Sequence, residues 1–416
     1  MADRARRRVV VTGLGAVSPF GAGVAALAAG IRAGRTAIAR FDLFDHERQR
    51  THVAGQVPAA AIARTDRSNG RTLLSRTDLF GEIAALEAVG AARLPLDSAA
   101  LADVGLFFGS STGGMFEVED YYRVLKAHGA RRRSARAIAA HQTNSPGDAV
   151  ARRLGIGGPV ETISSACAAA TLAIGAALDA LRVGEVDVAI AGGSDALCRL
   201  TYSGFNALRA VDEGPCRPFR ADRQGLSLGE GAGLLVLETE EHAARRGAPI
   251  LLELAGAGAT CDAHHMTAPH PEGSGAARAM RTALEDAGVA PDAVDFVNAH
   301  GTGTPLNDAS EWEAMRAVFG ERASRVPLTS TKSLVGHLLG ACGAIEAVVT
   351  ATCLMDGFQH AMPARPDDAG IGPDLVLGAA RPLSDPRVAI STNFAFGGAN
   401  AALVFRRLDA GARSAR

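Results

Sequence analysis

Three valines and a threonine follow Arg8, and the run Arg8–Thr12 is continuous and β-branched, as expected of a strand covered on both faces. The GLGAVSPFG after it reads as a Gly-rich turn, and the Ala-rich stretch Val24–Ala33 as a helix. Residues 35–75 are polar and aperiodic, an excursion from the core. Alternation then sets in. Asp78–Val89 has helical spacing, Val104–Phe108 is a buried strand closed by GSSTGG, and residues 116–155 are helical and partly charged. Val160–Ser164 is a strand running into an apolar helix from about Cys167 to Val183, and Val186–Ala191 is another buried strand.

The same grammar returns further on. Leu234–Leu237 and Leu251–Ala255 are apolar strands, Ser274–Gly288 an amphipathic helix, Val294–Ala299 a strand and Ala309–Val318 a helix. Val326–Thr329 feeds a helix over Gly336–Leu354, and Val388–Thr392 and Ala401–Phe405 are the last strands. VETISSACAAATLAIGAALDAL pairs with VPLTSTKSLVGHLLGACGAIEAV, and VGLFFGSSTGG with VDFVNAHGTGT, a pattern of duplication. Alternating strands and helices imply an α/β fold with mostly parallel sheets, whose strand ends gather the functional loops.

Composition narrows the class. The 416 residues, 47% hydrophobic and 21% charged, hold enough apolar material for one large duplicated unit or two ordinary domains. A formal charge of −1 creates no global field toward nucleic acid or anionic membrane. Six cysteines without a CxxC pair fit a reduced, cytoplasmic protein. The basic start MADRARRR mimics a signal peptide, but Thr12, Gly13, Gly15, Ser18 and Pro19 puncture its apolar run. Thr162–Leu178, uncharged and full of small residues, is short for a membrane span, so no targeting or transmembrane segment is expected.

Candidate chemistry concentrates in four loops. A cysteine in an Ala-rich helix is more often a small core residue than a nucleophile. Cys167, however, sits where a strand meets a helix start, and N–H groups with the positive dipole end there are expected to lower its pKa. His300 lies in NAHGTGTPLND directly after a buried strand, with the hydroxyls of Thr302 and Thr304 beside it. His337 is expected on the opening turn of a helix, where it stays neutral and can donate an N–H to a developing oxyanion. Only 2 of the 43 basic residues are lysines, and one of them, Lys332, flanks His337 together with Glu346, a candidate buried ion pair. In STNFAFGGAN, Gly397 and Gly398 let the backbone approach a ligand, and the Phe396 N–H is placed for half of an oxyanion hole. CDAHH at 261–265 lacks metal-ligand spacing, and GLGAVS fails the dinucleotide fingerprint because Ser18 replaces its third Gly.

SSACAAA, NAHGTGTPLND, STKSLVGHLLGACG and NFAFGGAN, in this order, resemble the motifs of elongating β-ketoacyl-acyl carrier protein synthases of the thiolase superfamily. The resemblance covers nearly the whole chain. It implies a thiolase-like duplicated αβαβα five-layer fold, with an N-terminal half over 1–255, a C-terminal half over 256–408 and a flexible tail over 409–416. It also implies that Cys167 takes an acyl group, that His300 and His337 bind the malonyl thioester carbonyl, and that Lys332 and Glu346 organise them. Thr302 and Thr304 would bind the phosphopantetheine arm of an acyl carrier protein; Phe396 would be the gate over the acyl site, and Phe394, Gly397 and Gly398 would bind substrate. Neither a bound cofactor nor a metal is implied. The partners implied are the carrier protein and a second copy or a related ketosynthase-like subunit.

The pattern has departures. Ala168 and Ala170 stand where a hydroxyl residue and Gly are usual. Thr112, at a position that often carries Ile, and Ala137, near one that commonly carries a bulky aromatic, suggest a roomier acyl pocket for a polyketide or polyene chain. An acidic carrier would land on the dense cluster Arg131, Arg132 and Arg133, and Arg76 and Arg209 align loosely with contact positions of the family. A thiolase would need a second cysteine that NFAFGGAN lacks, and a non-catalytic chain-length partner usually loses its nucleophile.

Overall fold

The computed structural model describes residues 6–63, 74–95, 98–129, 136–365 and 369–408. Ten strands carry the architecture: β1 Val9–Ser18, β2 Gly105–Gly109, β3 Val160–Ile163, β4 Val188–Asp195, β5 Gly231–Thr239, β6 Leu252–Cys261, β7 Phe296–Asn298, β8 Pro327–Thr329, β9 Val388–Phe394 and β10 Ala399–Arg406. They follow one another as β8-β7-β9-β10-β6-β1-β5-β4-β2-β3. Read outward from the central β6–β1 seam, each side has the same sequence of roles. β1, β5, β4, β2, β3 on one side correspond to β6, β10, β9, β7, β8 on the other. The seam is antiparallel and short, with Val10 opposite Glu253 and Val11 opposite Leu252.

Six helices complete the frame: α1 Arg76–Ala91, α2 Ser145–Leu154, α3 Ala169–Val183, α4 Ser274–Ala287, α5 Pro305–Phe319 and α6 Cys342–Asp356. α3 and α6 lie between the two halves of the sheet, where Ile174, Leu178 and Leu181 of α3 share a core with Ile345, Val348 and Val349 of α6. α1 and α2 cover one outer face and α4 and α5 the other. The result is five layers with a thiolase-like duplicated fold. The central position explains why Ala166–Val183 and Leu339–Asp356 are apolar enough to cross a membrane by composition, for 61% and 89% of these stretches is buried inside the protein.

Two expectations about elements change. β1 does not stop at Thr12 but runs on to Ser18. Gly13 and Gly15 are strand residues here because α1 lies directly over them. A Cβ would come within 2.1 Å of Ala88 O at Gly13 and 1.9 Å of Ala84 O at Gly15. The helix expected from Gly336 begins only at Cys342, after a single turn at Lys332–Val335 and a 3-10 turn at Leu339–Ala341. The second repeat starts with β6 at Leu252, so a division at 255 cuts through that strand. The tail 409–416 lies outside the described residues.

Candidate active site

Small residues let the chain turn sharply between β3 and α3. Ala166 adopts φ 43°, a left-handed conformation that costs about 1–3 kcal/mol away from glycine. The Ser111 hydroxyl donates to Ala166 O at 3.0 Å and helps hold the turn. Cys167 follows, 8% exposed, and lines a cavity. Burial pushes its thiol up to about 11, against the opposing pull of the Lys332 ammonium and of the Phe396 and Cys167 N–H groups. The depressed pKa expected from the helix start is therefore overturned: desolvation wins, and the resting group is a thiol.

His300 is set by its main chain. Its N–H donates to Glu311 Oε1 at 2.9 Å and to Thr392 Oγ1 at 3.0 Å, while the Gly301 N–H donates to Glu311 Oε2 at 2.8 Å. His337 is gripped likewise, its N–H donating to Ser227 O at 2.7 Å and its carbonyl accepting from the Gly229 N–H at 2.9 Å. Gly336 is needed beside it, at φ 81° and pressed against Leu228. These two loops and the Cys167 turn converge. Cys167 Sγ and a ring nitrogen from each histidine lie within 4.8 Å of one another, the one such cluster of potential metal ligands among the described residues.

The ring partners fix the tautomers. His300 Nδ1 faces the Lys332 ammonium at 3.1 Å and the Asn393 amide at 3.4 Å, so it accepts, and its Nε2 carries the proton. His337 Nδ1 accepts from the Leu339 N–H at 3.1 Å, with the same consequence. Burial first, then Lys332, keeps both imidazoles neutral: His300 lies well below its ordinary pKa and His337 is pushed down to about 3. Lys332 is itself buried, 2.6 Å from Glu346 Oε1, and Glu346 Oε2 accepts from Asn393 at 2.7 Å. Glu346 is raised by its burial, against the pull of the Lys332 ammonium and of a donor on each oxygen. It outweighs the burial that would neutralise Lys332, and the ammonium is raised.

The cavity, about 290 Å³, gathers Thr302, Thr304, Arg209, Phe394 and Phe396 around this cluster. Phe396 is half-exposed and stacks on Phe205, with ring centroids 5.8 Å apart. Gly397 and Gly398, at φ 85° and 82°, form the turn behind it, and Gly397 N–H donates to Met266 O. Two expected contacts fall elsewhere. Arg76 is no landing residue: its guanidinium is buried against Glu230 and Val57 O because it ties α1 to the loop before β5. The Thr112 hydroxyl turns to Asp195 at 2.8 Å, away from this cavity. Arg131, Arg132 and Arg133 lie outside the described residues, as does the side chain of Ala137.

Sequence reasoning missed Glu311, Asn393, Thr392 and Asp195. Asp195, at the end of β4, accepts from Ser111 N, Thr112 N and the Ser110 hydroxyl, and from Gly340 N in the His337 loop at 2.7 Å. It thus links the turn beside Cys167 to the turn beside His337. Glu311 and Asn393 were visible as polar residues within NDASE and STNF, but periodicity does not tell a buried hydrogen-bonding role from an exposed one.

Solved structures similar to this one include ketosynthases. The structure titled "The ishigamide ketosynthase/chain length factor" aligns over 97% of this chain and 100% of its own, with TM-score 0.91 and 34% identity. A β-ketoacyl synthase from Burkholderia phymatum STM815 aligns over the same shares with TM-score 0.87 and 34% identity. The class is that of a thiolase-like ketosynthase, an acyltransferase. In sequence, the β-ketoacyl synthase N-terminal domain matches residues 6–243 and its C-terminal domain residues 251–363. The 3-oxoacyl-[acyl-carrier-protein] synthase 2 of Staphylococcus aureus is 38% identical over 412 residues, 97% of this chain and 99% of that protein. The chain belongs to the β-ketoacyl synthase family.

Proposed function

We propose that the chain joins an acyl group carried on Cys167 to a malonyl unit carried by acyl carrier protein, with loss of carbon dioxide. The observation that carries this reading is the closeness of one thiol and two neutral imidazoles whose Nδ1 atoms are both occupied by donors. In the first half-reaction the Cys167 sulfur adds to an acyl thioester. The Cys167 and Phe396 N–H groups receive the oxyanion, and the phosphopantetheine thiol leaves with the proton. Because one thiol replaces another, the raised pKa of Cys167 imposes no net ionisation. In the second, the Nε2–H groups of His300 and His337 hold the malonyl thioester oxygen. The bond to the carboxylate breaks, its electron pair enters the enolate, and the carbanion attacks the acyl-Cys carbonyl. The Cys167 thiolate departs and takes a proton from water.

Lys332 and Glu346 act as positioning residues, holding His300 Nδ1 in its accepting state. Thr302 and Thr304 line the cavity where the phosphopantetheine arm would enter, and Arg209 stands there to meet an acidic carrier. A second copy or a related ketosynthase-like subunit would complete the assembly in the cytoplasm. A polyketide or polyene chain is the product proposed, supported by a type II PKS ketosynthase bound to a hexaketide among the similar solved structures. The intact thiol and both histidines speak for catalysis rather than a chain-length-factor role. Intact-mass analysis after incubation with acyl-carrier protein tests the reading: the acyl adduct belongs on Cys167, and an adduct that survives Cys167→Ala would overturn it. Products limited to short saturated chains would remove the polyene reading alone.

A further inference from the structure

α6 opens with a second buried thiol, Cys342, on the far side of the His337 ring from the donor N–H of that imidazole. Cys342 Sγ lies 3.6 Å from His337 Nδ1, a normal S–H···N separation, and accepts from the Leu338 N–H at 3.1 Å. The sulfur's lone pairs are thus engaged by a backbone donor, which leaves its S–H to point at the ring nitrogen. Leu339 N–H approaches the same nitrogen from the main chain at 3.1 Å. A cysteine at a helix start is unremarkable as a small core residue. The double contact, donor in and donor out, is what separates it from packing.

We infer that Cys342 is a positioning residue for His337: its S–H supplies a second donor at Nδ1, locking the Nε2–H tautomer that grips the malonyl thioester oxygen. The inference rests on the role proposed above for His337. Burial keeps Cys342 well above the ordinary thiol pKa, so it remains an S–H donor throughout the working range. Losing that donor makes Nδ1 easier to protonate, and the His337 pKa moves up from about 3.

The test separates the two half-reactions. Cys342→Ala is expected to slow malonyl-carrier decarboxylation by about threefold to fivefold, the weight of one neutral hydrogen bond. Acyl transfer onto Cys167, followed by intact mass, should fall by less than about twofold, because its oxyanion donors are backbone N–H groups. Infrared spectra should also show a hydrogen-bonded S–H stretch that this variant loses. Equal losses in both half-reactions, or no loss in either, would overturn the inference. His337→Ala serves as the control: if it leaves decarboxylation intact, the proposed role of His337 fails; if it abolishes decarboxylation while Cys342→Ala does nothing, only the Cys342 inference fails.

Discussion

Cys167 and His337 stand on equivalent turns of the two halves, yet the turns are built differently. Five residues, 164–168, join β3 to α3, whereas twelve, 330–341, join β8 to α6. The short turn strains Ala166 and holds a sulfur against backbone N–H groups. The long turn makes room for a buried cation at Lys332 and for an imidazole at His337. The first repeat therefore supplies the nucleophile and one main-chain donor, and the second supplies both imidazole donors and the Phe396 N–H. Duplicating a strand-to-helix unit and lengthening one copy gives two separate places to receive negative charge on oxygen.

If the division of labour holds, the two turns fail in different ways. Replacing the nucleophile, Cys167→Ala, should lower condensation by more than about a thousandfold while malonyl decarboxylation persists; loss of decarboxylation as well would show that the turns do not work independently. His337→Ala should reverse the pattern, with condensation down about a hundredfold to a thousandfold and Cys167 still acylated, as gel or mass assays can read. Lys332→Met leaves Glu346 buried without its cation. A stability loss of about 3–5 kcal/mol is expected by denaturant titration, and a change near zero would mean that water or another group compensates.

The smallest effect concerns pH. Burial pushes Glu311 up to about 7, although it accepts from His300 N–H, Gly301 N–H and the Thr392 hydroxyl. Below that value its carboxyl gains a proton and one of these donors loses its acceptor. Condensation should therefore fall on the acid side of neutrality, and Glu311→Gln should abolish that limb. For stability the sign is opposite. The folded pKa lies above the ordinary 4.5, so the fold binds the proton more tightly than the unfolded chain does. Stability from this group is present below about 4.5 and is lost as pH rises through about 7, a slope that Glu311→Gln should remove.

Much of this was legible in the chain. The four motif loops end buried strands, and that is enough to bring Cys167, His300 and His337 to one place once the duplication is seen. Local rules failed where tertiary packing overrode them. Gly13 and Gly15 read as a turn because their need to admit α1 depends on a helix some seventy residues away in sequence. His337 was assigned to a helix because LLGACGAIEAV is apolar except for Glu346, so periodicity could not show where the helix begins. The thiol pKa was misjudged because a helix start is visible in sequence and desolvation is not. Asp195 and Glu311 escaped notice since a buried carboxylate is defined by its donors, which come from distant loops.

The seam between β1 and β6 has a consequence for how the molecule is made. Cys167 is synthesised early and both histidines late, and α3 carries an apolar surface whose partner, α6, emerges from the ribosome after more than 150 further residues. A nascent first half must wait with that surface uncovered, prone to sticking to other chains and to capture by chaperones. Catalytic competence is thus withheld until the second half of the fold has emerged.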